Sequence, residues 1–191
     1  MFTGIVKSIG SIKTLQEDRL LISTDDDTFH NLEYGTSVSI DGCCLTLKEY
    51  IDNKLLFQIS DETISRTSLN KSHCGFVNME LPLTVNSLLS GHIVQGHVDK
   101  VIVLDHYEKL DNELWNFYFK NADKKYIVDK GSITLNGASL TVVNPDEDRF
   151  SVAVIEETYK RTNLQYLKEG SSINVEYDIV IKYLEKLNYD K

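Results

Sequence analysis

Proline, cysteine and positive charge are all scarce in this 191-residue chain. Pro82 and Pro145 are the only prolines, and 41% hydrophobic with 26% charged residues excludes a disordered or fibrous chain in favour of a packed one. Lysine and arginine number 20 against 29 aspartates and glutamates, a net charge of −9, the wrong sign for a nucleic-acid partner whose phosphates need bound cations. Cys43, Cys44 and Cys74 cannot all pair, and the first two are neighbours that point to opposite faces of a strand. Without a Cys-x-x-Cys spacing and matching histidines, neither a disulfide framework nor a structural zinc is expected. Long apolar runs are missing too: stretches such as Ile179 to Ile181 fall far short of the roughly 20 residues of a membrane span. Met1 to Gly10 has no basic region leading into an apolar one, so the reading is a cytoplasmic protein with no targeting signal and no membrane partner.

What the chain does contain is itself, twice. Residues 37–69 lie on residues 132–164 at a constant offset of 95 with nine identities in 33 positions: Ser37/Ser132, Gly42/Gly137, Leu45/Leu140, Thr46/Thr141, Glu62/Glu157, Thr63/Thr158, Arg66/Arg161, Thr67/Thr162 and Leu69/Leu164. Unrelated sequences of this composition would share roughly two. One inserted residue later, Val77-Asn78-Met79-Glu80 answers Ile173-Asn174-Val175-Glu176. A period this long is a tandem duplication of a small domain rather than a solenoid. The turn-forming residues at 86–91 mark the boundary, giving units 1–88 and 89–178 followed by a tail, 179–191. Short runs rich in Val, Ile, Tyr, Phe and Thr between polar turns read as strands. About six of them per unit must close or cover their edges, so the expected fold is all-β: two small antiparallel barrels, with a pair of sandwiches as the alternative.

Asp41-Gly42 and its repeat Asn136-Gly137 suit the two-residue type I′ hairpin turn, and that loop fixes the register. Ile40 then faces Cys43, Ser39 faces Cys44, Val38 faces Leu45 and Ser37 faces Thr46. Val38, Ile40, Cys43 and Leu45 form one apolar side and Ser37, Ser39, Cys44 and Thr46 the other. The second unit repeats the division, with Ile133, Leu135, Ala138 and Leu140 against Ser132, Thr134, Ser139 and Thr141. Because neither copy places a charge on the hydroxyl face, it reads as a ligand face able to take something flat. Solvent exposure is the competing explanation.

Between the copies, Gly91-His92-Ile93-Val94-Gln95-Gly96-His97-Val98-Asp99 carries two of the five histidines. A spacing of five puts His92 and His97 on opposite faces of a regular strand, so they are not a metal pair; His97 is the candidate for proton transfer and Gly96 for close approach of backbone to a ligand. Asp61 to Leu69 and Glu156 to Leu164 read as short helical turns, the first capped by Ser60 or Asp61, with Arg66 and Arg161 as ion-pair partners. Val180, Tyr183, Leu184 and Leu187 recur at helical spacing and give a terminal helix that packs on its own barrel or on another subunit.

Together MFTGIV, GCCLTL, DETISRTSL, GHIVQGHVD, KGSITLNGASLTVV, EETYKRTNL and the NVEYD-to-KYLEKL ending span nearly the whole length, and in this order they resemble the riboflavin synthase family. The resemblance implies two six-stranded barrels, a C-terminal helix that builds a homotrimer, and an active site between barrels of neighbouring subunits. It implies dismutation of two molecules of 6,7-dimethyl-8-ribityllumazine to riboflavin and 5-amino-6-(D-ribitylamino)uracil, a four-carbon transfer with no cofactor and no metal, and it leaves association with a lumazine synthase open. Two pockets in one chain suit a reaction that consumes two copies of one substrate.

Carried over by resemblance, the N-terminal pocket would use Gly4, Ile5, Val6, Ser37, Cys44, Leu45 and Thr46 with Gln58, Ile59, Ser60, Asp61, Glu62 and Thr63. The C-terminal pocket would use Gly96, His97, Val98, Tyr126, Lys130, Ser139, Leu140 and Thr141 with Ala153, Val154, Ile155, Glu156, Glu157, Thr158 and Asp178. One lumazine would lose a proton from its 7-methyl group, with His97 and Thr141 or Ser139 as candidates for the transfer. Cys44, Ser37 or a water would add at C7 of the other. Gln58, Glu156-Glu157 and Lys100 depart from common residues of the family. A non-catalytic branch of the same fold, the lumazine proteins of light-emitting bacteria, is the first alternative, and a tandem-barrel module that binds a small ligand or oligonucleotide is the second.

Overall fold

The structure is a computed structural model that describes residues 1–71, 74–111 and 113–189. Among the described residues, the first unit contributes strands β1 (Ser8–Gln16), β2 (Arg19–Ser23), β3 (Ser37–Ile40), β4 (Cys43–Ile51), β5 (Lys54–Gln58) and β6 (Phe76–Glu80). The second contributes β7 (Lys100–Lys109), β8 (Leu114–Lys120), β9 (Ser132–Leu135), β10 (Ala138–Val143), β11 (Phe150–Ile155) and β12 (Ser172–Tyr177). Each set closes into an antiparallel barrel. The hydrogen-bonded orders are β1-β2-β5-β4-β3-β6 and, read from its first strand, β7-β8-β11-β10-β9-β12, so the duplication extends to topology. Bulges at Ile12/Thr14, Leu47/Glu49 and Leu104/His106 add the local bend that a small barrel needs to close.

Both hairpins have the register that their turns dictate. Asp41 and Gly42 take φ of 45° and 77°, Asn136 and Gly137 take 45° and 80°, and these left-handed pairs set Ser39 opposite Cys44 and Thr134 opposite Ser139. The period-two alternation buries Val38, Ile40, Leu45 and Leu47 in the first core and Ile133, Leu135, Leu140 and Val142 in the second. Helices α1 (Asp61–Arg66) and α2 (Glu156–Arg161) follow the fifth strand of each barrel. The Ser60 hydroxyl caps α1 by accepting from the Thr63 N–H at 3.1 Å, and Arg66 and Arg161 pair with Glu62 and Glu157 one turn away.

The hydroxyl face is not uniformly open as its residue types suggested: Ser39 is 2% exposed and Thr134 1%. The reason is that the two hairpin tips meet back to back, where a Cβ on Gly42 would lie 2.8 Å from the Gly137 nitrogen and the reverse also holds. Around the tips runs a paired amide network. The Asn78 side-chain amide donates to the Asn136 carbonyl at 2.8 Å and that of Asn174 to the Asp41 carbonyl at 2.9 Å. The Asn78 N–H donates to the Asp41 carboxyl at 2.7 Å and the Asn174 N–H to the Asn136 side-chain oxygen at 2.8 Å. Across the seam, the Asn163 N–H donates to the Asn78 side chain and the Ser68 N–H to that of Asn174, both at 2.6 Å. An unpaired polar group at such depth costs about 1–3 kcal/mol, and among the described residues every buried side-chain nitrogen and oxygen has a partner.

The network departs from symmetry at two places: the first copy has Asp41 where the second has Asn136, and Ser68 where the second has Asn163, whose side chain donates to Asp41 at 3.0 Å. Burial pushes the Asp41 carboxyl up to about 8 from an ordinary 3.8, against the lowering effect of the Asn78 and Asn163 donors. The folded chain therefore holds a proton that the unfolded chain releases near pH 4, and Asp41's contribution to stability falls as pH rises from about 4 to 8, then levels off. Asp41→Asn copies the second barrel and removes this dependence. Urea midpoints measured from pH 5 to pH 9 should show the variant gaining on wild type until about pH 8; parallel curves would contradict it.

Candidate functional site

Outside the barrels, two short lead-in segments precede the first strand of each unit and pair with one another. The Phe2 N–H donates to the Val94 carbonyl at 2.7 Å and the Val94 N–H to that of Phe2 at 3.1 Å. Each lead-in then crosses to the opposite barrel. The Gly4 carbonyl accepts from the Ser139 N–H at 2.7 Å, and Val6 is buried in the second core. The Gly96 carbonyl accepts from the Cys44 N–H at 2.8 Å, and Val98 packs on the first core. This reverses the expected grouping. Gly4 to Val6 belong with Ser139, and Gly96 to Val98 with Cys44, because the short chain between lead-in and barrel lets each unit complete its neighbour rather than itself.

Only glycine fits at the crossing points. Gly4 has φ +77° and a Cβ there would lie 2.6 Å from the Ser139 Cβ; Gly96 has φ +81° and its Cβ would lie 2.6 Å from the Cys44 Cβ. The backbone of each lead-in is thereby laid flat on the hydroxyl or thiol face of a hairpin.

The two faces carry different chemistry. On the first, Cys44 and Ser37 are half-buried and Thr46 is exposed, while Cys43 points into the core with its thiol pushed up to about 12 by burial. On the second, Ser139 is half-buried and Thr141 exposed, and a histidine joins them. The His92 Nδ1 lies 2.7 Å from the Ser139 hydroxyl and its Nε2 3.1 Å from that of Thr134, while its N–H donates to the Thr3 carbonyl. Burial holds the His92 imidazole below its ordinary 6.5, with Asp178 pulling the other way. His97 is exposed, and its backbone N–H donates to the Glu176 carboxyl at 2.9 Å. The direction of the His92 ring is not readable from the sequence, since a period of two assigns side-chain direction only in a regular strand and this segment is not one. The usable signal was Gly91: a Cβ there would lie 2.2 Å from the Thr3 carbonyl oxygen and 3.0 Å from the Ser139 hydroxyl.

The remaining expected residues fall into four groups. Leu45, Ile59, Leu140 and Val154 have their side chains in the cores. Gln58, Ser60, Asp61, Glu62 and Thr63 lie where β5 runs into α1, Gln58 donating to Asp18 at 2.6 Å; Ala153, Ile155, Glu156, Glu157 and Thr158 occupy the same place in the second unit, Glu156 paired with Lys160. Tyr126 packs on Tyr177 and donates to Glu185 at 3.2 Å, Lys130 is exposed at a turn with φ 62°, and Asp178 accepts from the Val180 N–H at the start of helix α3 (Ile179–Tyr189). Ile5 lines a cleft of about 600 Å³ that runs along the first lead-in past Thr3 and Lys7 to Ser90.

The lumazine binding domain model matches residues 3–82 and again 95–178, one match per barrel. Riboflavin synthase of Actinobacillus pleuropneumoniae is 36% identical over 97% of this chain and 89% of its own length. The chain belongs to the riboflavin synthase family. Within that family the enzyme of Schizosaccharomyces pombe is 34% identical over 98% of this chain and 93% of its own, and that of Bacillus subtilis 32% over 100% and 93%. Among solved structures, LumP complexed with riboflavin superposes with a TM-score of 0.84 at 27% identity, covering 93% of this chain and 99% of that one. LumP complexed with 6,7-dimethyl-8-(1'-D-ribityl) lumazine superposes at 0.82 with 27% identity, over 92% and 98%. The family likeness extends through both barrels and both lead-ins.

A half-buried histidine between two hydroxyls should resist protonation. In an NMR titration His92 should be half-protonated below pH 6.5; a midpoint above that value would contradict the burial described here.

Proposed function

We infer that this chain catalyses the riboflavin synthase reaction, in which one 6,7-dimethyl-8-ribityllumazine gives a four-carbon unit to another to yield riboflavin and 5-amino-6-(D-ribitylamino)uracil. The observation that carries this reading is the pair of equivalent but chemically unequal pockets, a glycine backbone on Cys44 in one and on Ser139 with His92 in the other. The reaction needs one lumazine to lose a 7-methyl proton and the other to be attacked at C7. A pocket with a neutral imidazole on a serine hydroxyl suits the first, with Thr141 and His97 as further candidates; a pocket with Cys44 and Ser37, or a water they hold, suits the second. Orienting two flat rings face to face turns a bimolecular encounter into a local one, worth up to roughly 7–11 kcal/mol of barrier in well-aligned systems.

The residues assigned to the two pockets, the division into lumazine-binding units 1–88 and 89–178, and an assembly segment 179–191 are part of this proposal; residues 190 and 191 lie outside the described residues. The reading takes the working form as a cytoplasmic homotrimer with each active site between barrels of two subunits, and keeps a lumazine synthase as a candidate partner. Support for assembly comes from α3. Ile181 packs on the second core, Lys182 pairs with Asp99 at 2.7 Å and Glu185 with Lys125 at 2.7 Å, so one side of the helix is held. Val180, Tyr183, Leu184 and Leu187 are more than half exposed on the other, an apolar stripe that a lone subunit leaves wet.

The likeness to LumP favours chromophore binding without turnover as the second reading. Incubating the protein with 6,7-dimethyl-8-ribityllumazine alone separates the two: riboflavin fluorescence should grow, whereas tight binding with no riboflavin formed would overturn catalysis. Tyr183→Glu with Leu187→Glu should convert trimers to monomers in sedimentation and abolish turnover; trimers that persist would remove α3 from assembly.

A further inference from the structure

Two buried glutamates are not used by the chemistry above. Glu80 ends β6 at 4% exposure and Glu176 lies in β12 at 3%. A carboxylate at this depth is costly unless its oxygens are filled. Each is filled by a lead-in. Glu80 Oε1 accepts from the Thr3 N–H at 2.8 Å and the Thr3 hydroxyl at 2.7 Å, and Oε2 from the Gly4 N–H at 3.0 Å. Glu176 Oε1 accepts from the Gln95 N–H at 2.7 Å, and Oε2 from the N–H groups of Gly96 and His97, both at 2.9 Å. Burial pushes both carboxyls up, and three donors on each, two or three of them successive backbone amides, oppose it by binding the ionised form as a small nest would bind an anion, here reversed so that the anion holds the chain.

What each glutamate holds is not its own barrel's pocket. The Thr3-Gly4 segment gripped by Glu80 of the first barrel carries the carbonyl that meets Ser139 of the second. The Gln95-His97 segment gripped by Glu176 of the second carries the carbonyl that meets Cys44 of the first. We propose that Glu80 and Glu176 are positioning residues acting across the molecule, Glu80 for the Ser139 pocket and Glu176 for the Cys44 pocket. A carboxylate is required because it is acceptor-only; an amide in its place sets an NH₂ against backbone N–H groups and pushes the lead-in off the hairpin. The proposal rests on the reading that both pockets take lumazine.

The test uses the full-length chain and 6,7-dimethyl-8-ribityllumazine, with two readouts. Fluorescence titration counts sites per chain, and protection of Cys44 from iodoacetamide, read by peptide mass spectrometry, reports the first pocket alone. Glu176→Gln should raise the lumazine concentration that protects Cys44 at least tenfold and leave the other site unchanged. Glu80→Gln should leave Cys44 protection unchanged and weaken the other site at least tenfold. Should either glutamine variant fail to fold, Thr3→Val, which deletes one donor to Glu80, and Glu176→Asp carry the same comparison with a smaller, severalfold effect. A merely structural role lowers the urea midpoint with both affinities of the folded chain intact, and that result, or equal weakening of both sites, overturns the proposal. Wild type binding no lumazine would overturn the functional reading and this one together; wild type binding two while the variants match it overturns only the positioning role.

Discussion

A glycine backbone pressed onto a hairpin residue of the other barrel is the contact on which the rest of the structure depends. Gly4 on Ser139 and Gly96 on Cys44 leave no room for a Cβ, and both glycines sit at positive φ. Once these contacts are required, much else follows. The lead-ins must cross, so the hairpin tips must come together; the meeting tips bury turn carbonyls and amides, so Asn78, Asn174 and Asn163 must satisfy them. The crossing amides need acceptors away from water, and Glu80 and Glu176 supply them. Two barrels that each complete the other cannot be regarded as beads on a string.

Duplication followed by divergence accounts for the chemistry better than exact symmetry would. The seam keeps one aspartate against one asparagine, and the pockets keep a cysteine against a serine held by His92. Identical pockets would treat two identical substrate molecules identically, whereas in the proposed mechanism one gives up a proton and the other accepts a nucleophile. The difference in pocket chemistry rests on a few side chains, Cys44 against Ser139 with His92, on a common frame.

Much of the frame was legible in the sequence because it is locally encoded. Asp41-Gly42 and Asn136-Gly137 determine a turn, the turn determines register, and register sorts Val38 and Leu45 from Ser39 and Cys44 without reference to distant residues. The exchange of lead-ins was not legible, for two physical reasons. It joins Glu80 to Gly4 and Glu176 to Gly96 across most of a unit's length, and the lead-ins repeat at an offset of 92 rather than 95, so Gly4/Gly96 escapes an ungapped comparison. His92 was hidden because its direction comes from tertiary packing. A carboxylate repeated at the end of an apolar strand, Glu80 and Glu176, was the one local sign that something unusual is held there.

The claim at the centre is that each pocket is completed from the other unit, and the number of lumazine molecules bound by single glycine variants of the whole chain tests it most directly. Gly4→Val should bind one lumazine with Cys44 still shielded by it, and Gly96→Val should bind one with Cys44 open to alkylation. If Gly4→Val instead exposes Cys44 while Gly96→Val keeps it shielded, each lead-in serves its own barrel and the account is wrong.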